Sequence, residues 1–366
     1  MTQAENRELN LKEYAESAVT LRSRPRFILV ELTQGCNLRC PMCRPNLLPA
    51  RGRSMSDELF SRIAGELFGT AEMVDLRGWG ESLILPDVAR FIEQASRAGA
   101  RVRFVTNLSF QRDDILDVLS DHRCYLAVSL DSADPHLLSE IRGGANLGRI
   151  AKNIDTLVAA YTAKHGSADQ IYLTVTVQRP ALETLPDLID FAADHGIHEV
   201  RLFAVTIEPH HTLSLVGAPR EVDESITRAS ERAHQRGVKL FAGTRLGSMP
   251  EKHAGEAACI HPWSYAFFAY DGRVGFCDHL IGPDGEKYLL GNLAQSSFEE
   301  IWNGSAWREL RREHLSARNP HAPNFEECAW CYKNRHIDFE HFFDPEADRR
   351  RVALTPASLP ILTGRL

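Results

Sequence analysis

Two groups of cysteines are the residues of this chain whose types and spacing could do chemistry. The first group follows the apolar run 27–32 and has the spacing C-x3-C-x2-C: Cys36, Cys40 and Cys43. Cysteine thiolates are the usual ligands of iron–sulfur clusters, so three of them in one tight loop can hold three irons of a [4Fe–4S] cluster. The fourth iron would then be open to a small molecule. A structural zinc site usually has four ligands in two pairs, and disulfide frameworks are typical of short secreted chains rather than of 366 residues.

The second group lies near the end of the chain with the spacing C-x17-C-x50-C-x2-C: Cys259, Cys277, Cys328 and Cys331. Four thiolates with one C-x2-C pair can hold either zinc or a second iron–sulfur cluster, and the spacing alone leaves both open. The eighth cysteine, Cys124, falls in a predicted core strand. A thiol packs there as a small hydrophobic side chain, so we expect a structural role for it.

The stretch Gln34 to Arg44, which contains the first group, resembles the signature of the radical S-adenosylmethionine (radical SAM) enzymes. The resemblance implies that the open iron binds the amino and carboxylate groups of SAM. It also implies that one electron, from a reductant such as flavodoxin or ferredoxin, cleaves SAM to a 5′-deoxyadenosyl radical, which takes hydrogen from the substrate.

The region around the second cysteine group resembles the C-terminal extension called SPASM, in its shortened form called twitch. The resemblance rests on a hairpin after Cys259, the stretch Leu290 to Leu293, a helix start at Ser297 to Asn303, and the terminal C-x2-C pair. Full SPASM domains use more cysteines. Four therefore imply one auxiliary [4Fe–4S] cluster, which would be closed by its four ligands and suited to electron transfer.

Further positions resemble the SAM-contacting residues of that family. Gly78-Trp79-Gly80-Glu81 is similar to the GGE motif, whose backbone and acid hold the amino group of SAM, although glycines are also common in plain turns. The resemblance implies that Ser129 and Asp131 contact the ribose or carboxylate, and Arg142 can pair with a carboxylate in a bidentate way. Plain alternatives are a helix cap for Asp131 and a surface charge for Arg142. The remaining predicted contacts are Asn107, at a strand end, and Met42, where relatives place an aromatic residue beside adenine.

Strands and helices alternate through the first 250 residues, which predicts a parallel sheet covered by helices. Short apolar runs predict the strands, and amphipathic stretches closed by glycine or capped by serine predict the helices. The predicted strands are 27–32, 73–76, 102–106, 124–130, 171–177, 200–205 and 238–242. The predicted helices are 56–68, 87–98, 113–119, 147–161, 182–193 and 223–236.

The radical SAM resemblance turns this pattern into an α/β fold, a partial (β/α)6 TIM-like barrel with a small C-terminal twitch/SPASM-like iron–sulfur domain. We predict an N-terminal extension at 1–25, the barrel at 26–250, the auxiliary domain at 251–336 and a tail at 337–366 that is partly disordered or lies on the surface. Asp271-Gly272, between two apolar runs, predicts a hairpin with a two-residue type I′ turn.

The composition is that of an ordinary globular protein, with 43% hydrophobic and 25% charged residues. The net charge of −7 disfavours a nucleic-acid partner. No apolar signal-peptide core is visible, and no apolar run approaches the ~18 residues that span a membrane. Eight cysteines without an export signal predict a cytoplasmic protein.

The substrate side is the least informative part of the sequence. An enzyme that oxidises an alcohol needs a group that takes the hydroxyl proton. The candidates at predicted strand ends are Arg245, Glu208 and His210, with Arg77 and Arg179 as weaker ones. His210 and His211 are poor as a metal pair, because neighbours on a strand point to opposite faces. Any of these residues alone is more often a surface charge than a catalyst.

Resemblance to radical SAM dehydrogenases of aminoglycoside biosynthesis favours hydrogen abstraction from a polar small molecule of sugar or cyclitol type, followed by oxidation. Redox-neutral decarboxylation, dehydration or epimerisation of a sugar is the alternative. A peptide maturase is less favoured, because residues 1–25 are too few for a leader-peptide-binding domain. A non-catalytic metal-binding or electron-carrier protein is also disfavoured. Such a protein would need neither the open three-cysteine site nor the stretches Gly78–Glu81 and Ser129–Asp131.

Overall fold

The computed structural model describes residues 1–43, 53–251, 259–277, 288–316, 326–337 and 351–358, and the following statements concern these residues. They divide into two compact units. The first unit takes its residues from Met1–Cys36, Leu47–Phe104 and His253–Lys333. The second takes them from Asn37–Asn46, Val105–Lys252 and Asn334–Leu366. The division follows compactness, so the domain boundaries drawn from the sequence remain predictions.

The strands of the described residues are short and mostly apolar. They are β1 Phe27–Val30, β2 Met73–Asp75, β3 Arg101–Thr106, β4 Tyr125–Ser129, β5 Ile171–Val177, β6 Glu199–Ala204, β7 Lys239–Ala242, β8 Tyr265–Phe268, β9 Arg273–Gly275, β10 Leu289–Asn292 and β11 Val352–Ala353.

One α-helix precedes the first strand, and the others lie between strands along the described chain. The helices are α1 Gln3–Ala15, α2 Asp57–Leu67, α3 Val88–Arg97, α4 Asp113–Asp121, α5 Pro135–Ile141, α6 Leu147–His165, α7 Leu185–Asp194, α8 Pro219–Arg236, α9 His261–Ser264, α10 Phe298–Trp302, α11 Ser305–Ser316 and α12 Glu326–Asn334. None of them is long and apolar enough to cross a membrane.

In the first unit the strands lie in the order β10-β9-β8-β1-β2-β3. β1 is buried along its whole length and is parallel to both of its neighbours. Phe27 pairs with Met73 of β2 on one side and with Tyr265 of β8 on the other. The hairpin of the predicted auxiliary domain therefore extends the sheet that begins the predicted barrel, and no local pattern in the sequence indicates that pairing.

The turn of this hairpin differs from the prediction. A type I′ turn centred on Asp271-Gly272 needs positive φ at both residues, but only Gly272 has it, at 86°. The Gly272 N–H donates to Ala269 O (3.0 Å) and the Ala269 N–H donates to Arg273 O (2.9 Å). The predicted two-residue turn was wrong. The corner lies one residue earlier, with Gly272 as the left-handed residue after it, as in hairpins with a glycine bulge.

In the second unit the strands lie in the order β4-β5-β6-β7-β11. β4 to β7 are parallel, and the connecting helices pack in pairs, α4 against α6 and α7 against α8. β11 is antiparallel to β7. The preceding residue, Arg351, forms an ion pair with Glu199 (2.9 Å), and its guanidinium lies over the Phe241 ring. Residues 351–358 of the predicted tail thus cover a sheet edge, and the rest of that tail lies outside the described residues apart from Ile337.

Helix α1 gives the predicted N-terminal extension a defined structure. Three polar side chains of α1 are buried in the first unit: Asn6, Asn10 and Glu13. Asn6 donates to the backbone at Arg24, and Asn10 donates to Trp263 O (2.7 Å). Because buried polar groups must be hydrogen-bonded, these contacts fix where the helix can lie. The polar character of the segment reflects this anchoring as well as exposure to solvent.

Candidate active site

The first cysteine loop is divided by the boundary of the two units, which lies between Cys36 and Asn37. Each half is therefore described within its own unit. The loop follows β1, whose apolar residues bury the strand and leave the polar residues after it at the strand's C-terminal end. In parallel α/β folds, functional residues gather at this end of the strands.

In the first unit, the turn Gly78–Glu81 is hydrogen-bonded to the segment just before Cys36. The Gly80 N–H donates to Thr33 O (3.2 Å), and the Glu81 N–H donates to Gly35 O (2.8 Å). A Cβ on Gly80 would lie 2.4 Å from Gly35 O and 2.5 Å from Thr33 O. Glycine is therefore required at position 80 because the protein's own backbone is so close.

Glu81, predicted to hold the amino group of SAM, is 3% exposed. Its carboxylate accepts a hydrogen bond from the Leu83 N–H (3.3 Å) and caps a short 3-10 turn at Ser82–Ile84. That contact orients the side chain, and its role toward SAM remains a prediction.

In the second unit, hydrogen bonds of Asn37 and Asn107 fix the cysteine loop just after Cys36. The Asn107 amide donates to Asn37 Oδ1 (3.0 Å), and the Asn37 amide donates to Ser109 O (2.8 Å). Asn107 was predicted to reach SAM or substrate. The structure places its amide nitrogen on the loop between Cys36 and Cys40, and its role toward SAM or substrate stays a prediction.

The turn that carries Asn107 contains a left-handed residue, Leu108, with φ +47°. A side chain in this conformation costs about 1–2 kcal/mol. Leu108 is fully buried, and Asn153 of α6 donates to Leu108 O (2.8 Å) and Phe110 O (2.9 Å). The surrounding structure thus imposes the unusual backbone that directs Asn107.

Arg142 and Asp131 form a buried bidentate ion pair. The guanidinium donates to both carboxylate oxygens, at 2.6 and 2.8 Å. Asp131 also accepts from the Thr176 N–H and from Gln178. Burial alone would lower the pKa of Arg142, but the charge of Asp131 raises it above its ordinary value. The structure thus pairs the two predicted SAM contacts with each other. Asp131 is therefore not a plain helix cap, and Arg142 is not a solvated surface charge.

The backbone after Arg142 lies against the second half of the cysteine loop. The Arg39 N–H donates to Gly143 O (3.1 Å), and a Cβ on Gly143 would lie 2.2 Å from the Arg39 backbone. Burial raises the pKa of the Cys40 thiol, and the nearby Arg142 charge opposes that rise. Within the second unit, Arg142 therefore lies near Cys40, a predicted ligand of the cluster.

Two further predicted SAM contacts lie in the same unit. Met42 packs against an apolar group that contains Ile141 and Leu213, a suitable environment for an adenine face. Ser129 ends β4 and is half-buried, with Thr174 of β5 as its register partner. Both positions stay predicted SAM contacts.

The second cysteine group belongs to the first unit. Cys277 and Cys328 are buried, and Cys259 and Cys331 are half-buried. Cys328 and Cys331 are three residues apart on α12, so they share one face of that helix. The Cys259 N–H donates to the Tyr332 hydroxyl. His314 lies near Tyr332, and burial lowers the pKa of this histidine to about 4.

The cysteines fit iron–sulfur clusters by their chemistry. All eight lie in the described residues, and none forms a disulfide. In that part of the chain, no three His, Cys, Asp or Glu side chains converge as the ligands of one ion would. Each thiolate of a cubane cluster binds its own iron, so cluster ligands do not converge on a single point. Cys124 is fully buried in the core, as a structural thiol would be.

The predicted substrate-side residues are either exposed or paired with other groups of the protein. Glu208 and His210 are exposed on the loop after β6. The Arg245 guanidinium donates to Met249 O (2.6 Å) and lies 3.3 Å from Glu251. Arg179 donates to the backbone at 214 and 216, and Arg77 pairs with Asp75 (3.1 Å). The catalytic base therefore remains a prediction.

Sequence reasoning missed residues that position the loop rather than bind a ligand. Asn153 lies on a polar stretch of α6 and Asn37 lies inside the cysteine motif. Glu31 directly follows β1. A carboxylate directly after an apolar strand was a visible signal, but two of its three partners, Trp79 and Tyr270, are distant in sequence.

Two family models match the chain: the radical SAM superfamily over residues 30–173, and an iron–sulfur cluster-binding domain, SPASM, over residues 259–332. The chain therefore contains a radical SAM domain followed by a SPASM domain. As a radical SAM enzyme with a SPASM domain, it uses SAM, one [4Fe–4S] cluster and an auxiliary cluster. The predicted fold class, enzyme class and cofactors are confirmed, whereas the assignment of individual residues is not tested.

Curated relatives of this radical SAM protein carry diverse names. The AdoMet-dependent heme synthase of Methanosarcina barkeri is 24% identical over 333 residues, which cover 86% of this chain and 93% of that protein. The PqqA peptide cyclase of Bradyrhizobium diazoefficiens is 24% identical over 300 residues, covering 77% and 73%. The structure of Streptococcus suis SuiB matches with a TM-score of 0.63 at 13% identity, over 84% of this chain and 72% of SuiB, and shows the shared fold alone.

Proposed function

We propose that Cys36, Cys40 and Cys43 bind the cluster that cleaves SAM, and that the turn Gly78–Glu81 binds the amino group of SAM beside it. One observation carries this proposal: the turn is hydrogen-bonded directly onto the segment before Cys36, through the Glu81 N–H and Gly35 O at 2.8 Å. A ligand bound by the turn is thereby fixed relative to the first cysteine. When bound, the cluster and SAM would supply an organic radical that removes hydrogen from the substrate.

Replacing any of the three loop cysteines by alanine tests this assignment. Each variant should lose reductive cleavage of SAM entirely, because the cluster needs three thiolates to leave one iron open. The matched control is Cys124→Ala, which removes a fully buried thiol from the core and should keep cleavage. Formation of 5′-deoxyadenosine at the wild-type rate in a Cys36, Cys40 or Cys43 variant would refute the assignment.

For the reaction, we propose hydrogen abstraction from a hydroxyl-bearing carbon of a sugar-like or cyclitol-like small molecule, followed by oxidation to a ketone. Cys259, Cys277, Cys328 and Cys331 would hold an auxiliary cluster with no open iron, which suits an electron acceptor. The match to a heme synthase over nearly its whole length supports a substrate that is not a peptide. Arg245, Glu208 and His210 are the proposed proton acceptors.

A peptide substrate is the second candidate, because relatives named PqqA peptide cyclase and subtilosin biosynthesis protein AlbA also match most of the chain. Substrates deuterated at candidate carbons separate the possibilities. Deuterium in 5′-deoxyadenosine together with a ketone would support alcohol oxidation. A product at unchanged oxidation level would indicate a decarboxylase, dehydratase or epimerase, and turnover of a peptide alone would overturn the small-molecule class.

A further inference from the structure

Glu31, the residue after β1, is a buried carboxylate in the first unit whose partners come from three separate segments. It is 1% exposed. It accepts hydrogen bonds from the Trp79 N–H (3.2 Å), from the Gln34 side chain (3.3 Å) and from the backbone N–H of Tyr270. Trp79 lies in the turn Gly78–Glu81, Gln34 precedes Cys36, and Tyr270 lies at the corner of the hairpin β8–β9.

The turn is also seated sterically on Glu31. A Cβ on Gly78 would lie 2.3 Å from Glu31 Cγ and 2.8 Å from its Cβ. The Glu31 N–H in turn donates to Phe268 O (2.9 Å), which holds its backbone to β8. Both the position and the direction of the side chain are therefore fixed.

A purely structural explanation is that Glu31 only satisfies donors left over at the end of a strand. An ionised carboxylate is an expensive way to do so, because burial disfavours its charge. Burial does raise the pKa of Glu31, and the three donors oppose that rise. The free-energy cost of burying this carboxylate falls where the turn Gly78–Glu81, the segment before Cys36 and the hairpin β8–β9 meet. This location points to a positioning function.

We propose that Glu31 is a positioning residue for SAM, which fixes the turn Gly78–Glu81 against the segment before Cys36 and connects this arrangement to the auxiliary hairpin. The inference rests on the proposed assignment of that turn to SAM. It predicts that Glu31 affects the binding of SAM without being a ligand of the cluster.

The first test measures the contacts directly by hydrogen–deuterium exchange of the full chain. In Glu31→Gln an amide nitrogen replaces one oxygen, so at least one of the three donors loses its acceptor. Amides at 78–81 and 269–272 should exchange faster than in wild type. The matched control is Glu13→Gln, since Glu13 is also buried and accepts from two backbone N–H groups, those of Arg22 and Ser23. Glu13→Gln should accelerate exchange near 22–23 only.

The second test measures the dissociation constant of SAM for the cluster-loaded protein by equilibrium dialysis, with iron content determined in parallel. Glu31→Gln should weaken SAM binding about tenfold at unchanged iron content, the effect of a lost hydrogen bond to a charged group. Glu31→Asp, which keeps the charge, should restore part of it, and Glu13→Gln should bind as wild type does.

Wild-type SAM affinity in loaded Glu31→Gln would overturn the inference and leave the cysteine assignment intact. Failure of the wild-type protein to bind SAM would instead overturn the proposed function. If Glu31→Gln did not load its cluster, unchanged exchange at 78–81 and 269–272 in the unloaded chain would still refute the inference, and faster exchange there would support it.

Discussion

Gly80 shows at the scale of one residue how the site is built. Its hydrogen atom faces two carbonyl oxygens of the segment before Cys36, at distances where no Cβ fits. A larger residue would have to displace backbone, because the neighbouring atoms belong to the main chain rather than to a flexible side chain.

Gly80→Ala should therefore abolish SAM binding and cost several kcal/mol of stability, as overpacking and lost backbone bonds do. Gly65→Ala is the matched control. Gly65 lies in α2 with nothing within 4 Å of its would-be Cβ, and alanine in an exposed helix stabilises by up to about 1 kcal/mol. Denaturant unfolding and SAM dialysis of both variants measure the contrast, and a Gly80→Ala protein with wild-type affinity would contradict the packing argument.

The sequence identified Gly80 as important but for a different reason. Glycine in the GWGE stretch suggested a close approach to a ligand, whereas the structure adds an approach to the protein's own loop. Likewise, Asp131 and Arg142 were each predicted to contact SAM, and the structure pairs them with each other. Local patterns indicate which residues matter, but partners distant in sequence decide how each one is used.

At the scale of elements, the turn at residues 107–110 is held by a helix rather than by its own sequence. Leu108 adopts its left-handed backbone because Asn153 of α6 binds the carbonyls on both sides of Ser109. Helix α6 is correctly predicted to begin at Leu147, but its role in fixing Asn107 could not be predicted, because asparagine within a helix has no distinctive pattern.

Asn153→Ala should destabilise the protein by about 1–3 kcal/mol, because two buried carbonyls lose their donor. It should also accelerate amide exchange at 107–110 and near Asn37. Asn6→Ala is the matched control, since Asn6 of α1 donates to two carbonyls in the same way, those of Arg24 and Thr70. Its cost in denaturant unfolding should be similar, with exchange at 107–110 unchanged. Equal exchange at that turn in both variants would refute the role given to Asn153.

Most strands and helices could be predicted from periodicity, and their ends differ from the observed ones by a few residues. The helix predicted at 223–236 begins earlier, at Pro219, because proline suits the first turn of a helix. Helix α5 was not predicted, although Asp134 caps it and Pro135 begins it. The predicted type of turn in the β8–β9 hairpin was wrong, because Asp-Gly suits more than one type of turn.

At the scale of the whole molecule, the two cysteine groups predict two clusters in one chain. After anaerobic reconstitution, iron and sulfide analysis should give about eight of each per chain, on the basis of cubane clusters at both sites. Cys259→Ala should lower both to about four and leave SAM cleavage intact, because the first group is unchanged. Four irons with one zinc in wild type would refute an auxiliary [4Fe–4S] cluster.

The pairing of β1 with β8 has a consequence for how the chain folds during synthesis. Phe27 and its parallel partner Tyr265 are 238 positions apart, so one edge of β1 has no partner until most of the chain has left the ribosome. The strand reads Phe-Ile-Leu-Val, and unpaired apolar edges invite aggregation. Long-range parallel pairing also closes slowly. Fragments that stop before residue 265 should therefore be insoluble, and expression at low temperature with a chaperone should raise the yield of the full chain.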